Sequence, residues 1–262
     1  MKILISDVDG TLIHHDQNIS DENIRYMKEL QKQGHQIALC TGRNRFEMQW
    51  ILDAIDFPYD YLILNNGAQI VDKNHHVLYE KYLDGDVGKA VLDYLSNFEE
   101  LAFFYSDGKV SYGYENGHCM ERMTKEQKPQ DGMLCDRYQL SSCFEIISFH
   151  QKNYEMDITR PCFEYIEKHW KEQLSIYYNL HCVDIVAKGC SKGNALLWLC
   201  QYLGVKDDDV YAIGDSYNDL SMLEKARNSY TFDYAHQDIK LLITQHVHYV
   251  YEVIQEMLGG KI

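Results

Sequence analysis

Asp7 and Asp9 stand two residues apart in the stretch ISDVDGTL, after the apolar run Ile3, Leu4, Ile5 and just before Gly10. Strand side chains alternate, so carboxylates at i and i+2 on an extended segment point to one side and can face one site. A third carboxylate, Asp215, belongs to the stretch Gly214-Asp215-Ser216-Tyr217-Asn218-Asp219, which again follows an apolar run, Val210 to Ile213. With the two strand ends side by side, three carboxylates converge, and like charges that close push each other's pKa upward. A divalent cation removes the conflict. Magnesium suits an oxygen-only, partly hydrated site with few carboxylates and a phosphate.

Two more short motifs supply the complementary groups. Thr41-Gly42-Arg43 offers a hydroxyl and backbone N–H groups for phosphate oxygens, and Ser191-Lys192-Gly193 places an ammonium at a helix start, where it adds to the helix dipole. Such a set reads as phosphoryl transfer, in which charge spreads over the transferring group and catalysis is mostly positioning and charge stabilisation. One carboxylate can act as nucleophile and form an aspartyl-phosphate. A second acid two residues on can protonate the leaving alcohol and then deprotonate the attacking water.

These residues need elements to hold them. The chain opens with a short apolar strand over 2–6. Ser20 then reads as the N-cap of a helix with Ile24, Met27 and Leu30 on one face, ending before Gly34. A strand around Ile37 and Leu39 runs into Thr41, a helix follows from Arg45 to about Ala54, and Tyr61 to Leu64 is a third strand leading to Asn65-Asn66-Gly67. Strand alternating with helix is the rhythm of a parallel sheet covered by helices. From about residue 83 the rhythm changes. A helix carries Val87, Val91, Leu92 and Leu95, a hairpin turns at Asp107-Gly108, a strand covers 144–149, a helix starts at Pro161, and a second hairpin turns around Asn179. The first rhythm returns with a helix over 191–203 and a strand over 210–213. The reading is an α/β fold: a Rossmann-like parallel-sheet core over 1–82 and 187–262, with an inserted α+β cap over 83–186. In open parallel sheets ligands bind beyond the carboxyl ends of the strands, and all four motifs fall at or just past such ends.

Composition narrows the function. The chain has 262 residues, 45% hydrophobic and 25% charged, ordinary for a globular protein with a full core. Forty acidic against 25 basic residues give a net charge of -15, which disfavours nucleic acid and anionic lipid as partners. Any phosphate site must then be locally cationic. No apolar run approaches the roughly 20 residues of a membrane span, and the N-terminal stretch lacks a signal-peptide pattern. The eight cysteines form no C-x-x-C pair and read as reduced thiols of a cytoplasmic protein. A zinc site among those between Cys119 and Cys182 does not match standard ligand spacing. No G-x-G-x-x-G follows a strand, which argues against dinucleotide binding.

Taken together, DVDGTL, TGR, SKGNAL and GDSYND, in this order and spacing, resemble the four motifs of the haloacid dehalogenase superfamily of phosphatases. The long insert between the second and third motifs, and NNGA after the third strand, look like its Cof-type branch. The resemblance implies Asp7 as nucleophile and magnesium ligand. It implies Asp9 as acid/base, touching magnesium through its backbone carbonyl, and Asp215 as a further magnesium ligand. Thr41, Gly42, Lys192 and Asn218 would bind phosphate, and Asp219 would orient Lys192 or the metal shell. The segment from Ile13 to Ile19 would be a flexible loop beside the nucleophile. One departure stands out: where the family usually has a small-residue run resembling VAMGNA, this chain has Tyr230 to Ala235, bulkier and without the asparagine. That change either narrows the pocket or marks weakened activity.

Each motif alone has a plainer reading. D-x-D at a strand end is usually a solvated turn, a lone lysine usually a surface lysine, and Asp215 with Asp219 a helix cap and first-turn acid. The conjunction of four at strand and helix ends reverses that. Arg43 either adds charge to the site or pairs with a surface acid. Asn65 and Asn66 either touch substrate or form a turn before Gly67. His14 and His15 read as exposed loop residues. The expected activity is magnesium-dependent hydrolysis of small phosphorylated metabolites such as sugar phosphates, nucleotides or phosphorylated cofactors, by a monomer or homodimer. Two alternatives stay open: a phosphotransferase or mutase, and a non-catalytic sensor of a phosphorylated ligand. Asp9 favours catalysis, and the altered 230–235 segment favours the sensor.

Overall fold

The computed structural model describes residues 1–13, 19–56, 58–108, 111–115, 118–121, 137–179 and 181–260. His14, His15 and most of the loop expected over 13–19 lie outside the described residues.

In chain order the first segment holds β1 (Ile3–Ser6), α1 (Asp21–Lys32), β2 (Gln36–Cys40), α2 (Arg45–Ala54), β3 (Tyr61–Leu64), β4 (Gln69–Asp72) and β5 (Val77–Glu80). Next come β6 (Leu83–Asp84), α3 (Gly85–Leu95), β7 (Leu101–Ser106), β8 (Ser111–Glu115), β9 (His118–Glu121), β10 (Cys143–Phe144), β11 (Ile146–Gln151), α4 (Thr159–Trp170), β12 (Leu174–Asn179) and β13 (Cys182–Ala187). The chain closes with α5 (Lys192–Leu203), β14 (Val210–Ile213), α6 (Leu220–Leu223), β15 (Asn228–Phe232), α7 (Gln237–Leu242), β16 (Gln245–Val247) and α8 (Val250–Met257).

Contacts divide the chain into two compact units, one of 1–42, 51–80 and 191–262, the other of 43–50 and 81–190. In the first, an eight-stranded sheet runs in the order β16-β15-β14-β1-β2-β3-β4-β5. The pairs from β16 through β3 are parallel, and β4 and β5 extend the edge antiparallel. Central β1 and β14 are buried at every residue, as strands covered on both faces must be. Ile3, Ile5, Ala38, Ile63 and Ala212 on one face pack with Ala195, Leu196 and Leu199 of α5. Ser20 caps α1 as the sequence predicts, accepting from the N–H of Asn23 at 3.1 Å.

In the second unit the order β12-β13-β11-β7-β8-β9 is antiparallel throughout. Its own core joins Phe103, Phe149, Val183 and Ile185 to Val91 and Leu92 of α3 and to Cys162 and Ile166 of α4. The single strand expected over 144–149 is two, β10 and β11, separated at Glu145. That residue is buried, its N–H donates to the Ser106 carbonyl at 2.8 Å, and its carboxylate accepts from Ser106 Oγ at 2.9 Å. Residues 43–50, read from the sequence as core, group by contacts with the second unit. Buried Asn44 donates there from Nδ2 to Ser111 Oγ at 3.1 Å.

Candidate active site

Strand order positions the first motif. β1 lies between β14 and β2, with Ser6 opposite Ile213 on one side and Leu39 on the other. The chain connects β1 to β2 on one flank while β14 returns on the other, so the sheet reverses direction of growth here, which is where open α/β sheets form their ligand crevice. Asp7 is the first residue past β1; its N–H still donates to the Ile213 carbonyl at 3.0 Å, and it is 4% exposed.

Lys192 starts α5, which Ser191 caps by accepting from the N–H of Asn194 at 2.9 Å. The lysine is 1% exposed, not a surface residue. Its Nζ donates to Oδ1 of Asp7 and to Oδ1 of Asp219, each at 2.6 Å. The other oxygen of Asp219 accepts from the N–H groups of Asp215 and Ser216 at 3.1 and 2.9 Å, and from Ser216 Oγ at 2.9 Å. Asp219 is thereby committed on both oxygens to holding Lys192 and the turn that carries Asp215. Asp215 itself accepts on Oδ1 from Thr11 Oγ1 at 2.9 Å.

Asp7, Asp215 and Asp219 each bring a carboxylate oxygen within 4.8 Å of the others, the one such metal-capable cluster among the described residues. The sequence placed Asp9 in this group, and the carboxylate that joins Asp7 and Asp215 is Asp219 instead. The i, i+2 argument needs extended backbone, but β1 stops at Ser6. The chain then coils, with the Val8 carbonyl accepting from the N–H groups of Leu12 and Ile13, and Gly10 donating to the Ile13 carbonyl. Asp9 is exposed on this turn.

Three carboxylates against one ammonium leave the cluster two charges negative when all are ionised. Burial first, then Asp219, push the Asp7 carboxyl well above the usual range against the pull of Lys192. Burial and Asp219 likewise raise Asp215 to about 6. Burial would lower the Lys192 pKa, but Asp219 and Asp7 outweigh it and hold the ammonium firmly charged. Among the described residues, buried Asp7 Oδ2 has no hydrogen-bond partner. An all-oxygen donor set with three carboxylates against one ammonium fits a hard divalent cation such as magnesium.

Of the expected phosphate ligands, Thr41 is 1% exposed and Gly42 half-buried past β2. Asn218 is 7% exposed, and its Nδ2 donates to Asn66 Oδ1 at 3.2 Å. Asn65 and Asn66 are both buried, in the turn after β3. Arg43 is half-buried and groups with the second unit. Six described cysteines are free thiols, including Cys40, whose thiol burial holds protonated.

Sequence reading passed over Thr11, although it lies inside the quoted first motif. It also missed how the 230–235 segment is used. Tyr230 is buried with its hydroxyl donating to Glu256 Oε1 at 2.8 Å, and Phe232 is buried in full, so most of the added bulk enters the core. Tyr234 donates from its hydroxyl to the Gly10 carbonyl at 2.5 Å. Gly10 has φ +84°, and a Cβ there would fall 2.6 Å from Asp215 Oδ2. Tyr234 therefore secures the turn that packs on Asp215.

The sequence model for haloacid dehalogenase-like hydrolases matches residues 4–252. Among curated proteins, the 5-amino-6-(5-phospho-D-ribitylamino)uracil phosphatase YwtE of Bacillus subtilis is 27% identical, covering 92% of this chain and 90% of its own. An HMP-PP phosphatase of Escherichia coli is 26% identical over 83% of this chain and 78% of its own. Among solved structures, SMU.1108c of Streptococcus mutans superposes with a TM-score of 0.77 at 18% identity, covering 99% of both chains, a likeness of fold.

Proposed function

Because this chain belongs to the haloacid dehalogenase-like hydrolases, as a phosphatase of the Cof-type branch, we propose that it hydrolyses small phosphorylated metabolites with magnesium, through an aspartyl-phosphate on Asp7. The observation that carries this reading is the split state of the Asp7 carboxylate. One oxygen is bound by Lys192, while the other is buried with no partner among the described residues.

The carboxylates of Asp7 and Asp215, with the backbone carbonyl of Asp9, would hold magnesium, which would supply charge neutralisation for the phosphoryl group and the cluster. Asp7 Oδ2 attacks phosphorus, forming the Asp7–phosphorus bond as the bond to the leaving oxygen breaks. Asp9 gives that oxygen its proton, then takes one from the water that attacks phosphorus and releases phosphate and the Asp7 carboxylate. The exposed position of Asp9 on the turn after Asp7 suits a group that must exchange protons in both steps. Lys192 holds Asp7 Oδ1 in place and, with Thr41, Gly42 and Asn218, binds the phosphoryl oxygens. Asp219 keeps Lys192 charged and fixed.

Candidate substrates are sugar phosphates, nucleotides and phosphorylated cofactors such as pyridoxal phosphate, together with the compounds named for the two relatives. Phosphate contacts are common to all of them, so discrimination falls to residues around the leaving group. We assign that task to the second unit, which contains none of the carboxylates or the lysine.

The test is phosphate release across a panel of these compounds with magnesium and with a chelator. Release that requires magnesium supports the reading, and undiminished hydrolysis in metal-free buffer sinks it. Substitutions in the second unit should then reorder the panel without changing the magnesium requirement. A ranking that stays fixed would return specificity to the core.

A further inference from the structure

The turn after β3 is the most unusual piece of backbone near the site. Asn65, Asn66 and Gly67 take φ values of +52°, +50° and +93° in succession, and all three are buried. Left-handed backbone is uncommon for residues other than glycine, and asparagine is among the few that tolerate it. Such an arrangement persists when its surroundings hold it, and it points to use.

Three ties hold this turn, each to a different motif. The N–H of Asn66 donates to the Thr41 carbonyl at 3.1 Å, in the second motif. Gly67 lies so close to Ser191, in the third, that a Cβ would fall 2.3 Å from the Ser191 carbonyl oxygen. The side chain of Asn66 accepts on Oδ1 from Nδ2 of Asn218, in the fourth, at 3.2 Å. At its other end Asn218 Oδ1 lies 2.6 Å from Ser216 Oγ, whose one hydrogen is shared with Asp219 Oδ2 at 2.9 Å.

The chemistry of an amide makes this arrangement matter. Its two ends are nearly the same size but opposite in hydrogen-bonding sense. A carboxamide beside a phosphoryl group must present N–H, since its oxygen would face an anion. By accepting from Asn218 Nδ2, Asn66 Oδ1 favours one of the two orientations, spending one amide hydrogen and leaving the second to donate.

We propose that Asn66 is a positioning residue, which through its strained, buried turn fixes the Asn218 carboxamide with an N–H toward the phosphoryl group. The inference rests on the reading of Asn218 as a phosphate ligand. It assigns Asn66 a role through Asn218, without contact to substrate.

A double-mutant cycle on the full chain tests it, with inorganic phosphate as the probe and magnesium present. Asn66→Gly keeps a residue suited to the left-handed turn and removes the side chain with its acceptor; Asn218→Ala removes the amide. Calorimetry gives phosphate and magnesium affinities for the wild type, both single variants and the double variant, and p-nitrophenyl phosphate gives KM and kcat. Asn66→Gly should weaken phosphate on the order of tenfold, the scale of one hydrogen bond to a charged group, with magnesium affinity kept. In the Asn218→Ala background the same change should cost nothing further. Wild-type phosphate affinity in Asn66→Gly, an equal loss in both backgrounds, or a matching loss of magnesium affinity would each overturn the inference while leaving the phosphatase reading standing. A wild-type protein that neither binds phosphate nor hydrolyses the probe would overturn the functional reading, and the inference with it.

Discussion

The ammonium of Lys192 lies 2.6 Å from Oδ1 of Asp7, with both side chains almost wholly buried and 185 residues apart in sequence. The same nitrogen is 2.6 Å from Asp219. One cation thus serves two carboxylates, and a third, Asp215, joins their cluster.

Removing Lys192 should therefore cost more than a surface ion pair would. Lys192→Met leaves three converging carboxylates uncompensated, and breaking a buried pair from one side costs about 3–5 kcal/mol. Melting in chelator should show the loss, and magnesium should restore part of it. A variant that melts with the wild type in chelator would show that the pairs contribute nothing.

Asp7→Asn should act in the opposite sense on stability. The Asp7 carboxyl is held well above its ordinary pKa, so the fold disfavours its charge. Neutralising it in chelator at pH 7.5 should leave the melting temperature unchanged or higher. Turnover should vanish, and no aspartyl-phosphate should be trapped by rapid quench. Retention of near-normal turnover would remove Asp7 as nucleophile.

Asp215 gives a pH signature. Its pKa in the fold, about 6, lies above its unfolded value. The sign follows: without metal its contribution is most favourable below the unfolded pKa, near 4, and is lost as pH rises through about 6. A metal that needs the ionised carboxylate reverses the trend. The rise in melting temperature on adding magnesium should be small at pH 5 and larger at pH 7.5. A magnesium effect independent of pH across that window would contradict the raised Asp215.

Thr11 and Tyr234 steady Asp215 from two directions. Thr11→Val removes the 2.9 Å hydrogen bond to Asp215 Oδ1 and should weaken magnesium roughly 10–100-fold, the usual cost of losing a partner behind a metal ligand. Tyr234→Phe leaves the Gly10 carbonyl without this donor and should cost about 1 kcal/mol. That corresponds to about 2–4 °C in melting temperature for a chain of this size. Calorimetric magnesium titration and thermal melts would check both.

Much of this was readable from neighbouring residues alone. The N-cap at Ser20, the strand from Tyr61 to Leu64, the helix from Arg45 to Ala54 and the strand from Val210 to Ile213 follow from capping chemistry and apolar patterning, which act over a few residues. The placing of Asp7, Lys192 and Asp215 at strand and helix ends followed in the same way.

What tertiary structure decided was which of these groups meet. Asp219 and not Asp9 completes the carboxylate cluster, because alternation of side chains ends with β1 at Ser6 and the next residues coil. Thr11 reaches Asp215 across 204 residues, and Asn66 reaches Asn218 across 152, only because β14, β1, β2 and β3 stand side by side in the sheet. Residues 43–50 likewise group with the second unit, where Asn44 meets Ser111 across 67 residues. Sequence patterning records local conformational preference and burial. Convergence of charges from distant segments depends on strand order and register, which are set by packing of the whole sheet.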